Sequence, residues 1–387
     1  MSTRYNKIEL SITIVLACLA CNIIGNVTTS VMPLIISTYI EHFSLRESLA
    51  GLLTTSESVV SVIVTFIVAQ KLSQWFTIRT ALIGALITVI GLCGTALVMN
   101  LGLLIAFRIL IGVGTGLCLA IGSALAASTN NPDRVYGIMW AFSAVGDSSL
   151  FIVAPYAMES FGYPGLFWML ALFVLINGPF LFLLVQLGNS SAQETTKVDL
   201  KPWENKEGFY CLFGIFIFFV GAGSFWAFSE QIALELVGID PIAAGEIFAI
   251  AIISGFVASL LAAVIGKRIR RSIPIYFSVI AVMITCIWSI ETRDQTLFTL
   301  LFMIYLFAIY FFAPYALAIA ASLDSTGALA ARSSGIIVLG TALGPLFSGV
   351  LIDFFGYIAL SWFMVLTTIL TLFAMSRTSA PTPITDT

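Results

Sequence analysis

Arg108-Ile109-Leu110-Ile111-Gly112-Val113-Gly114-Thr115-Gly116 lies inside a long apolar run, residues 101–128. A guanidinium at such a position costs about 2.5–3.5 kcal/mol on membrane-insertion scales. It is therefore expected to face a bundle interior or a water-filled cavity and to have a partner. The glycines at every second position after it leave room for neighbouring helices to approach closely. The run is long enough to cross a bilayer core, which takes about 20 apolar residues.

The rest of the 387-residue chain extends this reading. Hydrophobic residues make up 59% and charged residues 10%, with a mean hydropathy of +1.06. A soluble domain carries about 25% charged residues. The composition describes an integral membrane protein, and a thinly spread net charge of −3 implies no nucleic-acid partner. Twelve spans are predicted, near 9–38, 48–70, 79–99, 101–128, 135–158, 165–187, 209–236, 241–266, 273–291, 296–322, 328–352 and 355–376. One inter-span stretch, residues 188–207, is long and polar and reads as a linker. The predicted organisation is thus a six-helix half (1–187), a linker (188–207), a second six-helix half (208–377) and a tail (378–387).

Lys and Arg in short loops orient such a chain. With the N-terminus cytoplasmic, 14 of the 17 basic residues fall inside, only Arg46 and Arg293 fall outside, and Arg108 stays in the membrane. Both termini are therefore expected on the cytoplasmic side, in what is read as a bacterial inner membrane. No cleavable signal peptide is read in the first apolar run.

The chain also repeats itself. Phe161-Gly162-Tyr163 recurs as Phe355-Gly356-Tyr357, an offset of 355 − 161 = 194. The same offset pairs Trp168 with Trp362, Gly146 with Gly340 and Gly51 with Gly245. Two six-helix halves in parallel repeat resemble the architecture of the major facilitator superfamily, which implies a binding site between them near the bilayer midplane.

An Arg followed by spaced glycines in the fourth span resembles motif B of the major facilitator superfamily, with Ile111 where the family has Gln. The loop motif between the second and third spans is eroded: Ser73 and Gln74 stand where the family has Asp and Arg. Its second-half counterpart, Gly266-Lys267-Arg268-Ile269-Arg270-Arg271, stays basic. Gly335, Gly340, Gly344-Pro345 and Gly349 resemble the Gly/Pro-rich eleventh helix. The resemblance implies an all-α fold of twelve transmembrane helices in two pseudo-symmetric halves. Within the family the chain resembles the drug/metabolite:proton antiporters, although span five lacks their Gly-Pro pair.

Charges within spans carry the chemistry, because their burial must be compensated. Glu57 and Arg108 are predicted at similar depth, roughly 10–14 Å from the same side, so an ion pair is expected. One reading makes it a proton switch, in which separating the pair favours protonation of the acid; the other makes it a static packing element. Asp147, near the midplane of span five, is a second proton candidate, or else a helix-interface acid bonded to serines. Trp226 and Glu230 share a helix face and suit a cationic or amphiphilic ligand, or the membrane interface. Glu246 reads as a rim residue. Asn22 and Asn26 share a face of span one, and the resemblance implies substrate contact; helix–helix hydrogen bonding is the alternative. Tyr305 and Tyr310 in span ten are further substrate-contact candidates. Their span is the repeat mate of the Arg108 helix, with Phe302 at the position of Arg108.

His42 is the single histidine and reads as a surface residue, and the six cysteines, including Cys18 and Cys21, read as packing residues. No metal site, cofactor or nucleotide-binding loop is read, and no enzyme activity. The expectation is a monomeric transporter working by alternating access in the lipid bilayer. The preferred reading is proton-coupled antiport, exporting a small amphiphilic molecule. The alternative is a symporter or uniporter for a small, possibly anionic metabolite.

Overall fold

The structure, a computed structural model, describes residues 12–70, 78–98, 100–127, 129, 132–187, 206–323 and 328–378. Most of the linker 188–207, the eroded motif at 71–77 and all but the first residue of the tail 378–387 lie outside the described residues. Among the described residues thirteen α-helices follow in order: α1 Ile12–Ser30, α2 Met32–Phe43, α3 Glu47–Gln70, α4 Ile78–Leu97, α5 Leu101–Ala127, α6 Pro132–Phe161, α7 Tyr163–Asn177, α8 Lys206–Gln231, α9 Pro241–Ile265, α10 Ser272–Glu291, α11 Gln295–Leu323, α12 Ala328–Phe355 and α13 Ile358–Ser376. Among the described residues no strand occurs. Hydrocarbon offers no partner for backbone polar groups, so a helix, which satisfies its own, is how such apolar runs fold. Among the described residues twelve segments are long and apolar enough to span, with α1 and α2 forming the first together.

The first span differs from its predicted form. It runs over Ile12–Phe43 and is interrupted at Val31, with Pro33 in the first turn of α2. Proline is well placed there, since a first-turn N–H has no intrahelical acceptor. The seventh span likewise departs from regular geometry: after Gln231 it continues as a π-turn, Ile232–Val237.

The repeat is written into the backbone. Helices α4 and α10 are displaced by 194 at both ends (272 − 78 and 291 − 97). Left-handed residues recur in pairs at the same spacing: Ser44 (φ 50°) with Gly238 (φ 79°), and Gly162 (φ 67°) with Gly356 (φ 72°). Three of the four are glycine, which adopts positive φ without a Cβ clash.

Two compact units are present. One comprises Met1–Val31 and Ser56–Lys197; the other comprises Met32–Thr55 and Val198–Thr387. The end of the first span and the start of the second thus pack within the C-terminal unit, and the break at Val31 coincides with the unit boundary.

Glycines bring helices together in both units. On α5, an added Cβ at Gly116 would meet Ser61 O at 2.6 Å on α3, and one at Gly114 would meet Gly84 O at 2.6 Å on α4. In the C-terminal unit α8 packs most extensively on α12. There Ser224 donates to the Gly344 carbonyl at 2.9 Å.

Candidate functional site

In the N-terminal unit, Arg108 is fully buried and its Nη1 donates to Glu57 Oε2 at 2.5 Å. The other carboxylate oxygen, Oε1, accepts from the Thr28 hydroxyl. The guanidinium carbon lies 5.3 Å from the centroid of the Phe167 ring, an arrangement that adds cation–π attraction. Four helices, α1, α3, α5 and α7, therefore converge on one charge pair. The sequence prepares it locally. Gly112, one turn beyond Arg108, has no side chain where a Cβ would strike the Glu57 carbonyl and Val60. Helices α3 and α5 can then close to the distance that the pair requires.

The repeat supplies an internal control. The mates of Thr28, Glu57 and Arg108 are Ala222, Ala251 and Phe302, each 194 residues on and each buried. The second half has apolar side chains at all three equivalent positions. The Phe302 ring instead joins an aromatic stack: Phe298 at 5.8 Å, Phe248 at 4.6 Å and Trp226 at 6.1 Å with an interplanar angle of 6°. The polar triad is thus an addition to the fold rather than a requirement of it.

The other predicted residues fall into two groups by unit. In the N-terminal unit Asn22 donates to Ser143 at 2.8 Å, and Asn26 donates to the Asn22 carbonyl at 3.0 Å and its side chain at 3.1 Å. Both amides thus make bonds along α1 and to α6. Asp147, half-buried on α6, is hydrogen-bonded to Ser30 at the end of α1, whereas its neighbour Ser149 donates to the Gly146 carbonyl.

In the C-terminal unit Tyr305 is fully buried and donates to the Ala222 carbonyl at 2.7 Å, so its hydroxyl ties α11 to α8. Tyr310 is half-buried, and its ring lies over Gly255 on α9. Trp226 is half-buried, and Glu230, one turn further on, is buried at 3% exposure. Glu246 and His42 are exposed.

A further polar cluster in this unit was not singled out from sequence. Ser37 on α2 donates to Gln231 at 2.6 Å, and Gln231 donates to Glu235 of the π-turn at 2.5 Å. Nearby, Ser48 on α3 donates its hydroxyl and backbone N–H to Asp353 on α12. Gly51 and Gly349 allow α3 to lie directly on α12. The available signal was the repeat itself, since 231 − 37 is 194. Among the described residues no group of three potential metal ligands gathers.

Residues 15–339 match the family model described as Major Facilitator Superfamily. Compared with curated proteins by sequence, the chain matches none. Solved structures give the fold independently. The nucleoside transporter NupG aligns with a TM-score of 0.74 at 14% identity, over 95% of this chain and 100% of that one. A bacterial homologue of the human lysosomal transporter Spinster, inward-facing and unoccupied, aligns with a TM-score of 0.64 at 15% identity, over 94% of this chain and 95% of that one.

Proposed function

The chain belongs to the major facilitator superfamily, a family of secondary transporters, and from that premise we propose that it exports a small amphiphilic molecule by proton antiport. The observation that carries this reading is the buried Glu57–Arg108 pair, held by Thr28 and Phe167 and replaced by apolar residues at the equivalent positions of the repeat. A charge pair that the fold does not need is retained at a cost in desolvation. Alternating access supplies a use for it. When α3 and α5 separate, Glu57 exchanges the guanidinium for a proton, and when they close it returns the proton and recovers Arg108. Asp147, at the junction of α6 with the end of α1, is the second candidate for proton exchange.

The substrate reading rests on side-chain chemistry. At depth within the spans the acids Glu57, Asp147, Glu230 and Glu246 outnumber the base Arg108, and aromatic residues make up 13% of the chain. An amphiphilic neutral or cationic molecule suits such surroundings. Asn22, Asn26, Trp226 and Tyr310 are the residues proposed to touch it. The excess of Lys and Arg on one side supports cytoplasmic termini, and the monomer is the proposed unit. A small-metabolite symporter or uniporter is the second reading; for an anionic metabolite, Arg108 would leave Glu57 for a substrate carboxylate.

The test is accumulation of a fluorescent amphiphilic cation in cells expressing wild type, Glu57→Gln or Arg108→Lys, with and without protonophore. Lower accumulation in wild type, abolished by Glu57→Gln and by protonophore, is the expected result. Equal accumulation in all cells, with protein present in the membrane, overturns the exporter reading. Uptake of an anion that weakens in Arg108→Lys would support the second.

A further inference from the structure

Glu57, Asp147 and Glu230 lie buried or half-buried away from the ends of the spans, and their surroundings differ. Both oxygens of Glu57 are engaged, one by Thr28 and one by Arg108. Asp147 has Ser30 and is only half-buried. Glu230 is 3% exposed, and its Oε2 has no hydrogen-bond partner among the described residues. A carboxylate held away from water without a cation or donors costs several kcal/mol, and such groups take up a proton instead.

The charged and titratable groups around Glu230 supply no counterion. At this end of the elements packed on α8 the acids are Glu41 on α2, Glu235 on the π-turn, Glu291 on α10 and Asp353 on α12. The remaining groups are Tyr39 and the exposed His42 on α2, the exposed Arg46 after it, Glu47 at the start of α3, Tyr305 on α11, Tyr357 before α13, and Arg293 after α10, whose guanidinium donates to the Ile290 and Thr292 carbonyls. The Glu41 carboxylate on α2 adds a like charge near Glu230. The repeat mate of Glu230 is Ile36, also fully buried, so the fold does not need an acid here.

The cover of this acid is specific. Helix α2 packs on α8, contributes Glu41, and is fastened by the Ser37–Gln231 bond to the residue next to Glu230. At its other end α2 is detached from α1 by the break at Val31, where the boundary between the compact units also falls. Beyond Gln231 the chain leaves regular α-geometry for a π-turn, a feature frequent at functional sites. The geometry points to Glu230 as a proton-binding carboxyl of the C-terminal unit, with α2 as the cover that governs its exchange with water. While α2 is seated the proton is held, and when α2 lifts Glu230 equilibrates with the aqueous phase on that side. This makes Glu230 a proton site rather than only the ligand contact expected from its position beside Trp226.

The inference rests on the proton-coupled reading above, but its test needs neither substrate nor gradient. Full-length protein in phosphatidylethanolamine/phosphatidylglycerol liposomes is titrated from alkaline to acid while the infrared carbonyl band of neutral carboxylic acids is recorded. The expected result is a buried-acid band in wild type, lost in Glu230→Gln and kept in Glu57→Gln and Asp147→Asn. Glu230→Asp guards against misfolding of the Gln variant: the band should persist at a displaced frequency. A wild-type band untouched by both Glu230 substitutions, or no such band at any pH, overturns the assignment. For the cover, Ser37→Ala removes one hydrogen bond of about 1 kcal/mol. Hydrogen–deuterium exchange at the band should then quicken about fivefold, and an unchanged rate removes α2 from the proposal. Failure here leaves proton-driven accumulation to be judged separately, and protonophore-insensitive accumulation leaves this band unaffected.

Discussion

Ser37 donates a hydrogen bond to Gln231, its own image 194 residues along the chain. The bond thus joins two mates of the repeat inside the C-terminal unit. The surrounding segments agree, because α2 packs with the C-terminal unit although it is encoded in the first half. This contact closes one end of the first and seventh spans together, and loosening it is the smallest perturbation available to that closure.

Ser37→Ala should therefore speed amide exchange in α2 itself. Loss of about 1 kcal/mol corresponds to roughly fivefold faster local opening. Mass spectrometry of deuterated peptides should confine the change to residues 32–43 and the π-turn. Exchange that stays at the wild-type rate would show that packing, not this bond, seats the helix.

Removing one partner of the Glu57–Arg108 pair leaves a buried charge behind. Arg108→Ala is expected to destabilise the N-terminal unit by about 3–5 kcal/mol, and Arg108→Ala with Glu57→Gln by clearly less than the sum of the single changes. Thermal denaturation of the four proteins in one detergent measures the coupling. Additive losses would mean that the two side chains do not depend on each other.

The glycine face of α5 makes a steric prediction. At Gly116 an added Cβ would lie 2.6 Å from the Ser61 carbonyl and 2.9 Å from Val64 Cβ, and neither backbone can yield cheaply. Gly116→Val should cost about 1–3 kcal/mol or more and reduce the yield of folded protein. Gly178→Ala, with nothing within 4 Å of the new carbon, should match wild type. Size-exclusion profiles of the two variants make the comparison.

Tyr305 and Tyr310 were equal candidates for substrate contact, and the structure separates them. The Tyr305 hydroxyl is bonded to the Ala222 carbonyl, so Tyr305→Phe should lower stability by about 1 kcal/mol and leave the apparent affinity for an amphiphilic cation unchanged. Tyr310→Phe or Tyr310→Ala should weaken that affinity if the half-buried ring meets substrate. Dose–response curves of accumulation distinguish the two, and a tenfold loss with Tyr305→Phe would reverse the assignment.

By itself the sequence determined the environment, the twelve spans, the 194-residue repeat and the presence of one cation within the membrane. These follow from local quantities: hydropathy over about 20 residues sets a span, and identities at a fixed offset set a repeat. It also brought Glu57 and Arg108 to one depth, because rise per residue is constant along a helix. Tertiary structure decided the rest. Thr28 as the second partner of Glu57, Ser30 as the partner of Asp147 and the Ala222 carbonyl as the acceptor for Tyr305 join helices 29, 117 and 83 residues apart. Which faces meet depends on the rotation and register of helices that hydropathy leaves undetermined, since lipid and protein interior are similarly apolar. The break at Val31 and the transfer of α2 to the C-terminal unit belong to the same class: Pro33 permits a helix start, but only packing against α8 places that helix there.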